Sequence, residues 1–324
     1  MPTIAITDYT FPDLSLEEAV LHPAGIKIVS FKEKRSPAEL AELVRNADAV
    51  IAQFAPVNAE VVAAMTRAKA IVRYGIGYDN VDCAAARERG IPVCNIPDYC
   101  IDEVADHTLA FILAITRQVV PNALHLCAGQ WGLATPVSAM SALKQLTIGI
   151  VGFGRIGREV VKRLLAFKAR VLVFDPVVAA EEITKAGAVA ASSFDELLAQ
   201  SDIVSPHCPV NPRTKQLFNA ATFAKMKAGS IFINVGRGDL ADSAAVTSAL
   251  QSGHLAGAAL DVFDPEPIPA DHSIRTMPNV ILAAHIASVS PPAVRTLRET
   301  AARIALMAVR GEKLPNVVNE VTAA

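Results

Sequence analysis

The chain has no Cys-x-x-Cys pair, and its five cysteines, Cys83, Cys94, Cys100, Cys127 and Cys208, are odd in number and scattered. That argues against a disulfide framework and against a zinc site. No uncharged apolar run approaches the roughly 18 residues that would span a bilayer. The start, Met1-Pro2-Thr3-Ile4, lacks the basic stretch and apolar core of a secretory leader. Nor is there a run of one charge: 30 Lys and Arg face 32 Asp and Glu, so no polyanion-binding surface is expected. Together these absences predict a cytoplasmic protein with no metal and no nucleic-acid or membrane partner. Aromatic residues are scarce as well, which leaves a core built mainly from aliphatic side chains.

What is present is abundant apolar material, 52% of 324 residues, in a chain about twice the usual domain length of about 150. Two α/β domains are the natural expectation. In the first hundred residues, short β-branched runs at 4–6, 26–31, 49–52, 70–74 and 92–96 alternate with amphipathic stretches, the pattern of a five-stranded parallel unit. One connecting helix is predicted from Pro37, behind the N-cap Ser36, with Leu40, Leu43 and Val44 on one face. The strongest helix pattern runs from Ile101 to Gln118, with Asp102 and Glu103 in its first turn. A second series of strands follows at 147–153, 170–175, 202–208, 230–235, 257–263 and 280–285, with the period of a doubly wound sheet. Pro291-Pro292 reads as a rigid hinge before a last helix over 293–310 that returns to the first domain. The expected layout is therefore a discontinuous substrate domain, 1–100 with 291–324, and a dinucleotide-binding domain, 101–290. Two similar sheets imply a cleft between them.

The most specific local signal is Gly152-Phe153-Gly154-Arg155-Ile156-Gly157, placed between an apolar strand and a predicted helix over 158–167. The three glycines suit a tight turn, close approach to a pyrophosphate, and packing of helix on strand. The helix start, with Arg155 and Ile156, would present N–H groups to phosphate. About twenty residues on, the next strand ends at Asp175, where a carboxylate can accept from ribose hydroxyls and repel a 2′-phosphate. Pro176-Val177-Val178 follows rather than a basic pair, which predicts NAD over NADP.

Three later segments carry polar groups at the carboxyl ends of predicted strands: Asn234 to Gly238, Asp261 to Pro267, and Ala284 to Ser288. With Arg73-Tyr74-Gly75-Ile76-Gly77-Tyr78-Asp79-Asn80-Val81-Asp82, these motifs resemble the D-isomer-specific 2-hydroxyacid dehydrogenases in order and spacing, especially phosphoglycerate dehydrogenase-like members and C-terminal-binding-protein relatives. The resemblance implies a flavodoxin-like substrate domain and a Rossmann NAD-binding domain. It assigns substrate binding to Arg237, proton transfer to His285 and orientation of that histidine to Glu266. The chemistry suits each group. Reduction of a 2-oxo acid needs a proton at the carbonyl oxygen, imidazolium supplies one near neutral pH, a neighbouring carboxylate keeps such a ring charged, and a guanidinium grips a carboxylate.

The resemblance further implies that Gly75 and Ile76 bind the substrate carboxylate through their backbone, with Arg73 nearby. Thr108, His207, Cys208, Pro209, Thr214, Val235, Gly236 and Asp261 would line the cofactor, Asp261 accepting from the nicotinamide amide. His107, His125 and His254 read as structural or solvated. A homodimer through the Ile101 helix is also implied. Departures from the family pattern are Ala284, where a proline is common, and Ala287-Ser288, where the corepressor relatives carry an aromatic. Pro206 within a strand and Asp239 beside Arg237 are also unusual. Glyoxylate, hydroxypyruvate and phosphoglycerate remain open as substrate types. The alternatives are an NAD(H)-sensing corepressor-like protein, or a phosphite- or formate-type dehydrogenase on the same fold.

Overall fold

Five parallel strands in the order β2-β1-β3-β4-β5 organise the first unit, which comprises Met1–Tyr99 and the chain from Ser290 onward. They are β1 (Thr3–Ile6), β2 (Lys27–Ser30), β3 (Ala49–Ala52), β4 (Ile71–Arg73) and β5 (Val93–Cys94). The computed structural model describes residues 1–321. Both faces of the sheet are covered, and the two-residue period of a strand shows in the core. Ile4, Ile6, Ile51 and Val72 pack with Leu297, Ala301 and Ile304 of the last helix, while Ala5, Val50, Ala52 and Ile71 pack on the other side with Leu40, Val44 and Val61. Ser36 caps the helix Pro37–Val44 in a reciprocal box with Glu39, which satisfies donors that the first turn would leave unpaired.

Pro291-Pro292 follows directly on the chain boundary between the two units, at Val289 and Ser290. The two prolines open the helix Pro291–Arg310, capped by the Ser290 hydroxyl accepting from Ala293 N–H at 3.1 Å. A first-turn proline forfeits no intrahelical bond, and its fixed φ suits the helix start.

The second unit, Cys100–Val289, carries β6 (Thr147–Val151), β7 (Arg170–Phe174), β8 (Val189–Ala190), β9 (Ile203–Pro206), β10 (Ser230–Asn234), β11 (Leu255–Leu260) and β12 (Val280–Leu282). Their order is β12-β11-β10-β9-β6-β7-β8, with every pairing parallel. The order reverses between β6 and β9, the switch point at which doubly wound sheets bind ligands. Pro206 fits because neighbouring N–H groups point to opposite edges. His207 N–H bonds Val151 on the β6 side, while pairing with β10 has already ended at Val204, so the donor that proline lacks has no ladder bond to make.

The long helix stops at Thr116. Gln118 adopts φ 52°, and a second helix, Val119–Cys127, leaves at a 64° bend. Among the described residues no single helix is long and apolar enough to cross a membrane. The apolar face of Ile101–Thr116, with Val104, Leu109, Phe111, Ile112 and Ile115, is buried within its own unit, where it packs on the helix Arg155–Ala166 and on β11. Much of its apolar width is thus used within the chain. Several exposed apolar side chains lie just beyond, among them Leu124, Leu126, Leu133, Val137, and Trp131 at 93% exposure.

Candidate active site

The loop after β6 gives each glycine a separate reason. Gly152 has φ 102°, and a side chain there would meet the backbone of His207 and Cys208; a Cβ at Gly157 would strike the Gly152 carbonyl. Nothing stands before Gly154, which leaves room for a ligand against the backbone. The helix begins at Arg155, three residues earlier than the sequence pattern suggested, with Gly154 as its N-cap. The N–H groups of Arg155, Ile156 and Gly157 have no acceptor among the described residues. Such donors at a helix start form an anion site. Asp175 accepts from Phe153 N–H at 2.7 Å and from Val177 and Val178 N–H at 2.8 and 3.1 Å. It therefore fixes the glycine turn as well as closing β7. These residues fit the pyrophosphate and ribose of a dinucleotide.

Other expected cofactor positions resolve differently. Thr108 is fully buried, and its hydroxyl donates to the Val104 carbonyl of its own helix at 2.7 Å. Thr214 donates to the Pro209 carbonyl at 2.6 Å and accepts from Asn211 N–H; it holds the loop that follows β9. Burial pushes His207 down to about 4, leaving it neutral with Nε2 on the Ser205 hydroxyl, and pushes the Cys208 thiol up to about 11, leaving it protonated. Both suit walls better than acid, base or nucleophile. Val235 and Gly236 lie at the end of β10 beside Pro206.

The carboxyl ends of β10, β11 and β12 are adjacent, with Asn234 opposite Leu260 and Leu260 opposite Leu282. Each strand delivers one candidate group within six residues of its end. His285 Nδ1 lies 3.0 and 3.1 Å from the Glu266 oxygens, which turns Nε2 away from the carboxylate. The two side chains are 21% and 33% exposed, enough for a ligand to reach them. His285 has φ 55°, a conformation costly for a side chain of this size and typical of functional sites. Asp261 holds it there: its carbonyl accepts from His285 N–H at 2.7 Å, and its carboxylate oxygens accept from Ile286 and Ala287 N–H, both at 2.8 Å. The residue is fully buried, and these bonds shape the histidine loop.

Arg237 sits on a turn shaped by Asn234, whose amide accepts from Gly236 N–H and donates to the Arg237 carbonyl. A side chain at Gly238 would collide with Phe263 and Asp264, so the arginine loop lies against the loop that leads to Glu266. Asp239 is paired with Lys215 at 3.1 Å, which offsets its charge near Arg237. The sequence reading quoted Asn234 without giving it this anchoring role.

In the first unit, the turn after β4 is gripped through its carbonyls. Ile96 N–H donates to Gly75 at 3.0 Å, and the Asn95 amide donates to Ile76 at 2.7 Å. Gly75 N–H is engaged by the Arg73 carbonyl, whereas the N–H groups of Ile76 and Gly77, next in the turn, are among those with no backbone acceptor among the described residues. Arg73 is buried, stacked over Phe54 and bonded to the Tyr74 carbonyl; it supports the turn from behind. Asn95 lay outside the motifs, and only the fold brings it to Ile76.

A family model described as D-isomer specific 2-hydroxyacid dehydrogenase, NAD binding domain, matches residues 109–287. The glyoxylate reductase of Thermofilum pendens is 37% identical over 299 residues, covering 90% of this chain and 88% of that protein. Among solved structures, D-lactate dehydrogenase from Aquifex aeolicus, complexed with NAD and lactic acid, has a TM-score of 0.85 at 28% identity, covering 95% of this chain and 96% of that one. NAD-dependent formate dehydrogenase from Staphylococcus aureus, in complex with NAD, has a TM-score of 0.88 at 27% identity, covering 98% and 99%.

Proposed function

This chain belongs to the D-isomer specific 2-hydroxyacid dehydrogenase family and is an NAD-dependent oxidoreductase; on that premise we propose that it interconverts a small 2-oxo acid and its D-2-hydroxy acid. His285 serves as proton donor and acceptor, Glu266 orients it, Arg237 binds the substrate, and the N–H groups of Ile76 and Gly77 take the substrate carboxylate. The first unit is then the substrate domain and the second the cofactor domain. Bound NADH supplies the hydride. As the carbonyl carbon receives it, the oxygen gains charge, and imidazolium Nε2 passes its proton there while Nδ1–H stays on Glu266. Arg237 stabilises the same developing charge electrostatically. The observation that carries this reading is the Glu266–His285 contact on a loop bent to φ 55°. Hydride removal from formate releases no hydroxyl proton and needs no such shuttle, so the pair favours oxo acids.

The test is NADH oxidation across glyoxylate, hydroxypyruvate, pyruvate and 3-phosphohydroxypyruvate, with formate plus NAD as the opposing assay. Glyoxylate and hydroxypyruvate are the expected substrates, and the relative from Thermofilum pendens supports that choice. NADH binding with no turnover of any acid would instead indicate a nucleotide-sensing protein.

Asp175 sets the cofactor preference. Asp175→Ala should weaken NADH binding and narrow the NADH-to-NADPH ratio of dissociation constants by about tenfold, equivalent to about 1.4 kcal/mol. Fluorescence titration of both cofactors reads this directly. An unchanged ratio would remove Asp175 from nucleotide selection.

The protein is a cytoplasmic homodimer in this reading, with neither nucleic acid nor membrane as partner. Its contact is the helix Val119–Cys127 and the segment that follows, where Leu124, Leu126, Trp131 and Leu133 are exposed together, more apolar surface than scattered side chains explain. Leu124→Glu with Leu126→Glu should halve the mass measured by light scattering. The sole tryptophan, Trp131, should shift its emission to the red in the same variant. A wild-type monomer would refute the arrangement.

A further inference from the structure

The first unit hides one charged cluster among aliphatic side chains. Glu17, on the helix Ser15–Leu21, is fully buried, and Arg298, 281 positions away on the helix Pro291–Arg310, is 5% exposed. Arg298 Nε donates to both Glu17 oxygens at 2.9 and 3.1 Å, and Nη2 donates to Oε2 at 2.6 Å and to the Asp13 carbonyl at 2.7 Å. The Tyr74 hydroxyl donates to Glu17 Oε1 at 2.8 Å. Phe11 completes the cluster, beneath the guanidinium at 4.8 Å and edge-on to the Tyr74 ring at 5.4 Å.

A buried ion pair is seldom more stabilising than apolar packing of the same volume, and its surroundings are Ile, Leu and Ala. Stability is therefore a weak reason for it. What the pair does accomplish is to fix one tyrosine. Tyr74 is the residue between Arg73 and Gly75, where Gly75 takes φ 148° to begin the turn. With its ring against Phe11 and its hydroxyl on a carboxylate that cannot itself move, Tyr74 has one available position, and the peptide planes that follow inherit it.

We propose that Glu17, locked by Arg298, is a positioning residue that acts through the Tyr74 hydroxyl to aim the N–H groups of Ile76 and Gly77 at the substrate carboxylate. The inference rests on the assignment of those two donors to the carboxylate. Hydrogen bonds to a charged acceptor are sensitive to small displacements of the donor, so the loss should fall on substrate affinity. Burial and the Glu17 carboxylate push the phenol well above its ordinary range, so Tyr74 remains a donor throughout the working pH range.

The test is Tyr74→Phe in the full-length enzyme, with Glu17→Gln and Ile76→Pro beside it. Tyr74→Phe keeps the ring and removes one hydrogen bond. It should raise KM for the preferred oxo acid about fivefold to tenfold, the scale of a single net hydrogen bond, with kcat and the NADH dissociation constant within about twofold. Glu17→Gln retains an acceptor for the hydroxyl but strands the guanidinium; it should lower the melting temperature more and KM-derived affinity less than Tyr74→Phe. A merely structural role predicts the reverse, with KM following melting temperature, and that result would overturn the proposal, as would an unchanged KM in Tyr74→Phe. Ile76→Pro deletes one donor outright. If that variant, folded by circular dichroism, raises KM while Tyr74→Phe does not, only the positioning role falls; if neither moves KM, the carboxylate assignment itself is wrong.

Discussion

Replacing His285 by asparagine is expected to lower kcat by about 10² to 10⁴, the range for loss of a positioned acid–base group, with NADH affinity retained within about twofold. Asparagine is the informative choice because the residue sits at φ 55°. Alanine would confound lost chemistry with backbone strain, whereas asparagine tolerates the left-handed region and carries no group that delivers a proton near neutral pH. Glu266→Gln should fall between wild type and His285→Asn. Its amide oxygen still accepts from Nδ1–H, so the ring stays oriented, but the charge-assisted character of that bond is gone; a loss of about ten- to a hundredfold in kcat is expected. The double variant should be little worse than His285→Asn alone, because the carboxylate acts through the ring. Steady-state reduction of the oxo acid and NADH titration provide both readouts. Full turnover by His285→Asn would remove the mechanism.

The parts of this site that were legible in the sequence are those whose evidence is local. Gly152, Gly154 and Gly157 announce themselves because turn, strand and helix lie within a dozen residues, whereas Arg237, Glu266 and His285, each beyond an apolar run, take their roles from the family resemblance. The parallel, doubly wound class of the sheets followed from the alternation of runs and spacers, although their strand order did not. What escaped depends on partners distant in the chain or on which of two satisfactory bonds a group makes. Thr108 could have faced a ligand or bonded its own helix, and nothing in its neighbours decides between them. That Pro291-Pro292 opens the last helix is seen only once Ser290 is found to cap it. Gln118 carries no turn signal, yet it breaks the long helix. Asn95 reaches Ile76 only because β4 and β5 are neighbours, and Glu17 meets Arg298 only because the last helix returns to the first sheet. Gly77 stands within the motif, but proposing it as a donor requires seeing that Gly75 N–H is already engaged.

Asp261 is where the sequence reading and the structure lead to different experiments. The resemblance implies an acceptor for nicotinamide; the structure adds a support for the histidine loop, with Ile286 and Ala287 N–H on its two oxygens. Asp261→Ala would leave those N–H groups without acceptors, each costing about 1 to 3 kcal/mol. Relaxation of φ at His285 would recover about 1 to 3 kcal/mol of strain, at the expense of the contact with Glu266. The net expectation is a loss of about 2 to 3 kcal/mol in stability and of about a hundredfold in kcat from misplacement of the ring. Asp261→Asn keeps one acceptor but sets an amide NH₂ against a backbone N–H, so it should lose activity nearly as far while unfolding less readily than the alanine variant. Comparing NADH with ADP-ribose separates the two roles. If Asp261 shapes the loop, kcat falls while the affinity ratio of the two ligands stays constant; if it holds the nicotinamide amide, NADH alone loses affinity. Loop shaping predicts the first result, because one buried carboxylate already accepts from both of the N–H groups that set the histidine's backbone.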